Sequence, residues 1–294
     1  MKNNRKVKKA IITAAGMGTR FLPATKDIPK EMLPVVDKPI LHYVVAECVE
    51  AGIEDIIIVI RPGNEAVMNY FTPSKHLEQF LLENGKAERL KEYRKIVDSA
   101  NFIFVHQDSR LPYGNGSPIL TAKNLVSDGP FVVCWGDDLV LYEKKSAVDQ
   151  VVELFEKTED AYGVMGVTQV PKKEVIRYGM VKTVGGEDEG RIESIVEKPI
   201  LEEVSSNLIE FGRMVLSPKI FDYLAADKTG KDGELWLMDS IHQLLTNKPM
   251  YAKLIDGEFL TTGDPLRFLT ANLKFALKRE GLAEDLSEVL KELV

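Results

Sequence analysis

The sequence predicts an α/β protein, a Rossmann-like three-layer sandwich on a mixed, mainly parallel central sheet. Over the first 140 residues, short β-branched or aromatic runs alternate with helical patterns, the order that builds βαβ units. The runs are almost continuously apolar, as strands covered on both faces must be. The 294 residues show no internal repeat and no low-complexity linker, so one α/β unit with a sizeable core accounts for the length.

Each element has local reasons. The runs "KAIITA" (9–14), "DIIIVI" (55–60), "NFIFVH" (101–106) and "PFVVCW" (130–135) each give way to turn or charged residues. Between them, "ILHYVVAECVEAG" ends on a glycine suited to close a helix, and two stretches around 75–97 are rich in Leu, Glu and Lys. "SPILTAKNLV" opens with Ser117-Pro118, read as an N-cap followed by proline at the first helical position. From about residue 160, "AYGVMGVTQV", "YGMVKTV", "GRIESIVEKP" and "LIEFGRMVLS" read as strands with little helix between them, which predicts an antiparallel portion added to the sheet. Helical patterns return in "SPKIFDYLAA", "ELWLMDSIHQLLTN" and "DPLRFLTANLKFALKRE". In the closing "GLAEDLSEVLKELV", Leu282, Leu286, Val289, Leu290 and Leu293 share one helical stripe, suited to the chain's own core or to a second subunit.

Composition narrows the function classes. With 45% hydrophobic and 28% charged residues the chain is ordinary for a globular protein, and its net charge of −7 argues against general affinity for nucleic acid or an anionic membrane. No apolar run approaches the length that crosses a bilayer. "MKNNRKVKKAIITAAG" has the basic start of a signal peptide, but its apolar stretch is too short and runs into a glycine loop. Cys48 and Cys134 lie inside apolar segments, which fits buried free thiols in a reducing compartment, the cytoplasm.

That loop, "AAGMGTR", comes directly after the first strand. Gly16 and Gly18 let the backbone turn sharply, so that successive N–H groups can cradle phosphate oxygens. It is not the Gly-x-x-x-x-Gly-Lys-Ser/Thr loop of ATP and GTP binders. It is a poor dinucleotide fingerprint too, since Phe21 replaces the third glycine and Arg61, not an acid, comes after "DIIIVI". A hydride-transfer enzyme is thereby disfavoured. The segment after the turn is cationic: it carries Arg20, Lys26 and Lys30, with Pro29 and Pro34 stiffening the chain around Lys30. Arginine grips phosphate bidentately and lysine offers a mobile point charge; solvated pairing with Asp27 and Glu31 is the competing reading. "CWGDDLVL" sets Asp137 and Asp138 at the end of another buried strand, where carboxylates suit a hard cation shared with phosphates. His42, His76, His106 and His242 have no metal-ligand spacing, and no serine or cysteine sits in a triad context.

The stretch "TAAGMGTRFLPATKDIPKEMLPVVDKPILHYVVAE" resembles the opening of the bacterial UTP–glucose-1-phosphate uridylyltransferases, in the wider sugar-nucleotidyltransferase family, and later motifs keep the family order to about residue 275. The resemblance implies a glycosyltransferase-A-like nucleotidyltransferase fold over 1–280, with a nucleotide-binding part (1–140), a sugar-binding part (141–280) and an amphipathic helix (281–294). It implies Mg2+-dependent transfer of a uridylyl group from UTP to glucose 1-phosphate in the cytoplasm, and the C-terminal stripe permits a homo-oligomer, dimer or tetramer. Ala14, Ala15, Gly16, Gly18 and Thr19 would wrap the triphosphate, with Arg20 and Lys30 on phosphate oxygens. Gln107 and Gly114 would read uracil, and Asp137 would hold the metal. Gly179, Glu197, Gly212 and Glu234, with Asp239 beside them, would line the sugar pocket, Lys198 neutralising the sugar phosphate. The chain departs from the pattern in three places. Gly114-Asn115-Gly116-Ser117-Pro118 replaces Gly-Leu-Gly-His-Ala, Trp135-Gly136-Asp137 replaces Leu-Pro-Asp, and Thr261 replaces an aspartate that can be a second metal ligand. Asp264, next to Pro265, reads instead as a helix N-cap. A thymidylyltransferase, another sugar 1-phosphate, or a regulator that binds nucleotide sugars without turnover stay open as alternatives.

Overall fold

Nine strands form the central sheet of the computed structural model, which describes residues 5–230 and 233–293. Residues 1–4 and 231–232 of the expected 1–280 domain, and residue 294 of the expected terminal helix, lie outside the described residues. In chain order the strands are β1 (Lys9–Ala14), β2 (Asp55–Ile60), β3 (Asn101–His106), β4 (Phe131–Trp135), β5 (Gly163–Gln169), β6 (Gly179–Thr183), β7 (Gly190–Glu197), β8 (Leu208–Leu216) and β9 (Met250–Leu254). Across the sheet they run β3-β2-β1-β4-β8-β5-β9-β7-β6. The first four are parallel, with Ile11 of β1 between Ile57 and Val133. β8 enters antiparallel to both β4 and β5, β9 is parallel to β5, and β7 is antiparallel to β9 and β6. Only β7 and β8 therefore oppose the rest, and the sheet is mixed but mainly parallel.

The strand sequences explain their places. Ile56–Ile60 of β2 and all of β8 are buried, as central strands under two helical layers require. One face packs on α1 (Ile40–Glu50) and α2 (Ala147–Lys157), whose Val44, Val45, Val148 and Val151 join the core. The other packs on α3 (Leu237–Leu245), through Leu237, Ile241 and Leu244. α4 (Pro265–Leu277) and α5 (Ala283–Leu293) complete the described chain. No helix among the described residues is long and apolar enough to cross a membrane.

Several expectations need correction. "SPKIFDYLAA" forms only a 3-10 helix at Pro218–Asp222. The segment expected to start at Ser117 is already helical at Gly116, because the Ser117 hydroxyl turns back to the Pro112 carbonyl instead of capping. α2 and β9 were not among the expected elements, although β9 sits inside the sheet. Asp264 does cap α4, accepting from the Arg267 N–H at 3.1 Å.

Candidate active site

The parallel strands end on one side of the sheet, where a cavity of about 710 Å³ opens, the place where α/β sheets bind ligands. Thr13 lines it from the end of β1, Ala15 and Gly16 after β1, Gln107 after β3, and Asp137 and Asp138 after β4. These residues are far apart in sequence and converge only because β1 lies between β2 and β4, with β3 beside β2.

At this end the charges are close-packed. The Lys30 ammonium donates to Asp137 Oδ2 and stands 3.9 Å from Glu31 Oε1. Burial disfavours the Lys30 charge, but Asp137 and Glu31 outweigh it and raise the pKa. Burial likewise pushes the Asp137 carboxyl up, and the adjacent Lys30 charge more than offsets this, holding it below the usual range. Glu31 is 1% exposed; burial lifts its carboxyl to about 7 against the pull of Lys30. Asp138 is pushed to about 7 by burial and by the charge of Asp137, while the Thr261 side chain hydrogen-bonds it.

The loop carrying Asp137 is clamped from below by Arg213 of β8. Its guanidinium is fully buried and forms a two-pronged pair with Glu47 of α1, at 2.7 and 3.1 Å. The remaining donors reach the Asp138 carbonyl at 2.7 Å, the Gly212 carbonyl at 2.9 Å and the Trp135 carbonyl at 3.3 Å. Pairing of this kind satisfies a buried charge that would otherwise be prohibitive.

A further stretch of the cavity wall is acidic. Glu197, Glu210, Glu234 and Asp239 line it with Lys198. Lys198 has φ +42, a left-handed conformation uncommon for a residue with a Cβ and found where surrounding structure enforces it. Its ammonium lies 4.3 Å from the Trp236 ring centroid and 3.7 Å from Glu197 Oε1. A Cβ on Gly179 would sit 2.9 Å from Glu210 Cγ and 3.3 Å from Glu197 Oε2, so the two carboxyls flank that glycine. Glu210 is lifted to about 8, first by burial and then by the charge of Glu197.

The cavity thus gathers Ala15, Gly16, Lys30, Gln107, Gly114, Asp137, Gly179, Glu197, Lys198 and Glu234 in one wall. Five expected site residues fall outside its wall. Arg20 is exposed and its guanidinium reaches the Gly263 carbonyl at 3.2 Å. Thr19 is exposed beside it, Ala14 is buried in the core, and Gly18 backs onto Thr25 and Lys30. Gly212, at φ +78, packs so tightly on Trp135 that a Cβ would lie 2.0 Å from the ring; it shapes the wall through that tryptophan. Glu31, Glu210, Trp135 and Trp236 also line the cavity, and none of them was among the expected site residues. For Glu210 the signal was present, an acid in the middle of the apolar run "LIEFGRMVL".

The site suits a hard cation shared with a ligand. In the structure the Lys30 ammonium sits on Asp137. Among the described residues no group of three or more His, Cys, Asp or Glu could hold a metal, so the donor set fits an ion held by one carboxylate plus phosphate oxygens and water, not a protein cage.

The family model described as nucleotidyl transferase matches residues 9–277. The chain belongs to the nucleotidyltransferase family. It is 41% identical to the UTP–glucose-1-phosphate uridylyltransferase of Staphylococcus haemolyticus, over 98% of this chain and 99% of that one. A UTP-bound UDP-glucose pyrophosphorylase from Acinetobacter baumannii superposes with a TM-score of 0.88 at 35% identity, covering 98% of this chain and all of the other. A UDP-glucose pyrophosphorylase solved with UDP-glucose superposes with a TM-score of 0.82 at 34% identity, covering 93% of this chain and 100% of that one.

Proposed function

We propose that the protein is an enzyme joining UTP and α-D-glucose 1-phosphate into UDP-glucose and pyrophosphate, with Mg2+ as its divalent cation. One observation carries the reading: a single cavity joins the glycine loop, Lys30 and Asp137 to Glu197 and Lys198. Two reactants that must meet therefore have one space. The near-full-length likeness to uridylyltransferases supports the nucleotide and the sugar.

In the reaction an oxygen of the sugar phosphate attacks the α-phosphorus in line, that P–O bond forms, and the bond to pyrophosphate breaks. Both reactants are anions, so the protein's work is to hold them together and offset their repulsion. Ala15 and Gly16 face the triphosphate, with Ala14 at the end of β1 beneath them and Gly18 and Thr19 shaping the turn that wraps it. Lys30 and Arg20 neutralise the departing pyrophosphate, Arg20 by leaving the Gly263 carbonyl. Gln107 and Gly114 read the base; the glutamine amide offers the donor and acceptor that the imide face of uracil needs. Lys198 positions the attacking phosphate, while Glu197, Gly179, Glu234 and Gly212 shape the sugar subsite. Asp137 would hold the Mg2+, which supplies charge neutralisation on phosphate oxygens. No covalent nucleophile is required. We place the enzyme in the cytoplasm as a homo-oligomer, with residues 1–280 as the catalytic domain and 281–294 as an added helix.

The test is pyrophosphate release with Mg2+ and glucose 1-phosphate, run in parallel with UTP, dTTP, CTP, ATP and GTP. Turnover with UTP should dominate and fall at least about a hundredfold in Asp137→Ala. Preference for dTTP would replace the base assignment and leave the chemistry. No turnover with any nucleotide would reduce the protein to a binder.

A further inference from the structure

Glu31 is a buried carboxyl that the proposed mechanism does not use. It is 1% exposed, and its Oε2 has no hydrogen-bond partner among the described residues. A buried polar atom left unpaired costs free energy and calls for an explanation. Glu31 is also part of the cavity wall, with its neighbour Lys30 bound not to it but to Asp137. The glycine loop closes the group: a Cβ on Gly16 would lie 3.2 Å from Lys30 Cε and 3.8 Å from Glu31 Oε1.

Asp137 cannot hold the Lys30 ammonium and a divalent cation on the same face, since like charges at such separation repel strongly where water is scarce. Lys30 must then go elsewhere, and an ammonium in a half-buried site without an anion is expensive. The Lys30 Nζ is 3.9 Å from Glu31 Oε1, so a shift of about 1 Å brings it to hydrogen-bond distance. We propose that Glu31 is a positioning residue, the second seat of the Lys30 ammonium: when a divalent cation takes Asp137, Lys30 passes to the Glu31 carboxyl and stands at the Gly16 loop. With its Oε2 unpaired and its Oε1 3.9 Å from the ammonium, the Glu31 carboxyl has acceptor capacity left for that arrival. This deepens the reading of Asp137 as the metal ligand and rests on it. Metal arrival and release of Lys30 from Asp137 become one event.

The exchange makes a prediction about metal affinity that needs no turnover. Manganous ion is titrated into the full chain without nucleotide, and free ion is counted by electron paramagnetic resonance. Lys30→Met removes the competitor and should tighten Mn2+ by about tenfold, the scale of one charge-assisted hydrogen bond. Glu31→Gln removes the second seat and should weaken Mn2+ by a similar factor. In the double variant K30M/E31Q nothing needs reseating, so its affinity should match that of K30M. An equal loss from Glu31→Gln in both backgrounds would make Glu31 a direct metal ligand and overturn the exchange. So would an unchanged affinity in K30M, which decides the matter alone should the glutamine variant fail to fold. Asp137→Asn separates the two levels: it should abolish Mn2+ binding in every background, and binding that survives it overturns the metal site itself.

Discussion

Glu210 stands in β8, a strand whose nine residues are all buried. Its Oε2 accepts from the Gly212 N–H at 2.9 Å, the Trp135 side chain is a second partner, and the charges of Glu197 and Asp138 act on it. Its carboxyl is raised from 4.5 to about 8, by burial first and then by Glu197. A carboxyl that binds its proton more tightly folded than unfolded contributes stability that is complete below pH 4.5 and is lost as pH rises through about 8. The loss is at most about 1.4 kcal/mol per pH unit. Glu210→Gln removes this titration. Urea denaturation between about pH 5 and pH 8 should show the variant losing less stability than the parent, and equal slopes would mean that Glu210 is ionised throughout. The residue also shows what a motif cannot reveal. Lys30 and Asp137 were legible because each stands in a string of residues with a chemical pattern, and Glu197 because Glu197-Lys198-Pro199 resembles a family motif. Glu210 has no such string, and only the fold brings it against Gly179 and Glu197 from another strand.

Between elements, the Arg213–Glu47 pair couples β8 to α1 and fixes the loop that carries Asp137. Removing one partner strands a buried charge, so Arg213→Met should cost about 3–5 kcal/mol in urea unfolding. Replacing both, Arg213→Met with Glu47→Leu, should recover most of the stability. It should not recover pyrophosphate release, because the Trp135 and Asp138 carbonyls would still lack their donor. Recovery of both would reduce the pair to a stabilising contact. A second coupling joins residues 113–116 to the segment before α3. The Leu235 N–H donates to the Tyr113 carbonyl at 2.7 Å, the Gly116 N–H to the Leu235 carbonyl at 2.9 Å, and the Leu237 N–H to Asn115 Oδ1 at 2.8 Å. This accounts for Asn115 where the family has leucine: its amide serves the start of α3. A Cβ on Gly114, at φ +135, would fall 2.3 Å from the Leu235 carbonyl oxygen. Gly114→Ala should lower stability by about 1–3 kcal/mol and raise KM for UTP more than for glucose 1-phosphate. Equal effects on the two constants would detach Gly114 from the base.

Across the whole molecule, the half that was easiest to read was the parallel half, where each strand is a near-continuous apolar run. β1 to β4 are apolar runs separated by helices, and each strand was legible at its observed position to within a residue. β9 was not, because "MYAKL" is short and half-buried; only its pairing with β5 and β7 makes it a strand. α5 poses the opposite case, a clear sequence pattern without a matching core. None of its residues is buried; Val289 is 49% and Leu293 75% exposed. On α4, Leu266 and Leu269 are likewise 74% and 56% exposed. Leucines left at the surface on two adjacent helices gain more from a second subunit than from water, at about 25 cal/mol per Å² covered. Since α5 contributes no residue to the catalytic cavity, its removal should separate assembly from chemistry. Deleting residues 281–294 should leave pyrophosphate release per chain within about twofold and shift the mass seen by light scattering to a smaller species. An unchanged mass would assign the stripe to the chain's own fold, and lost turnover at unchanged mass would show that α5 supports the cavity through α4.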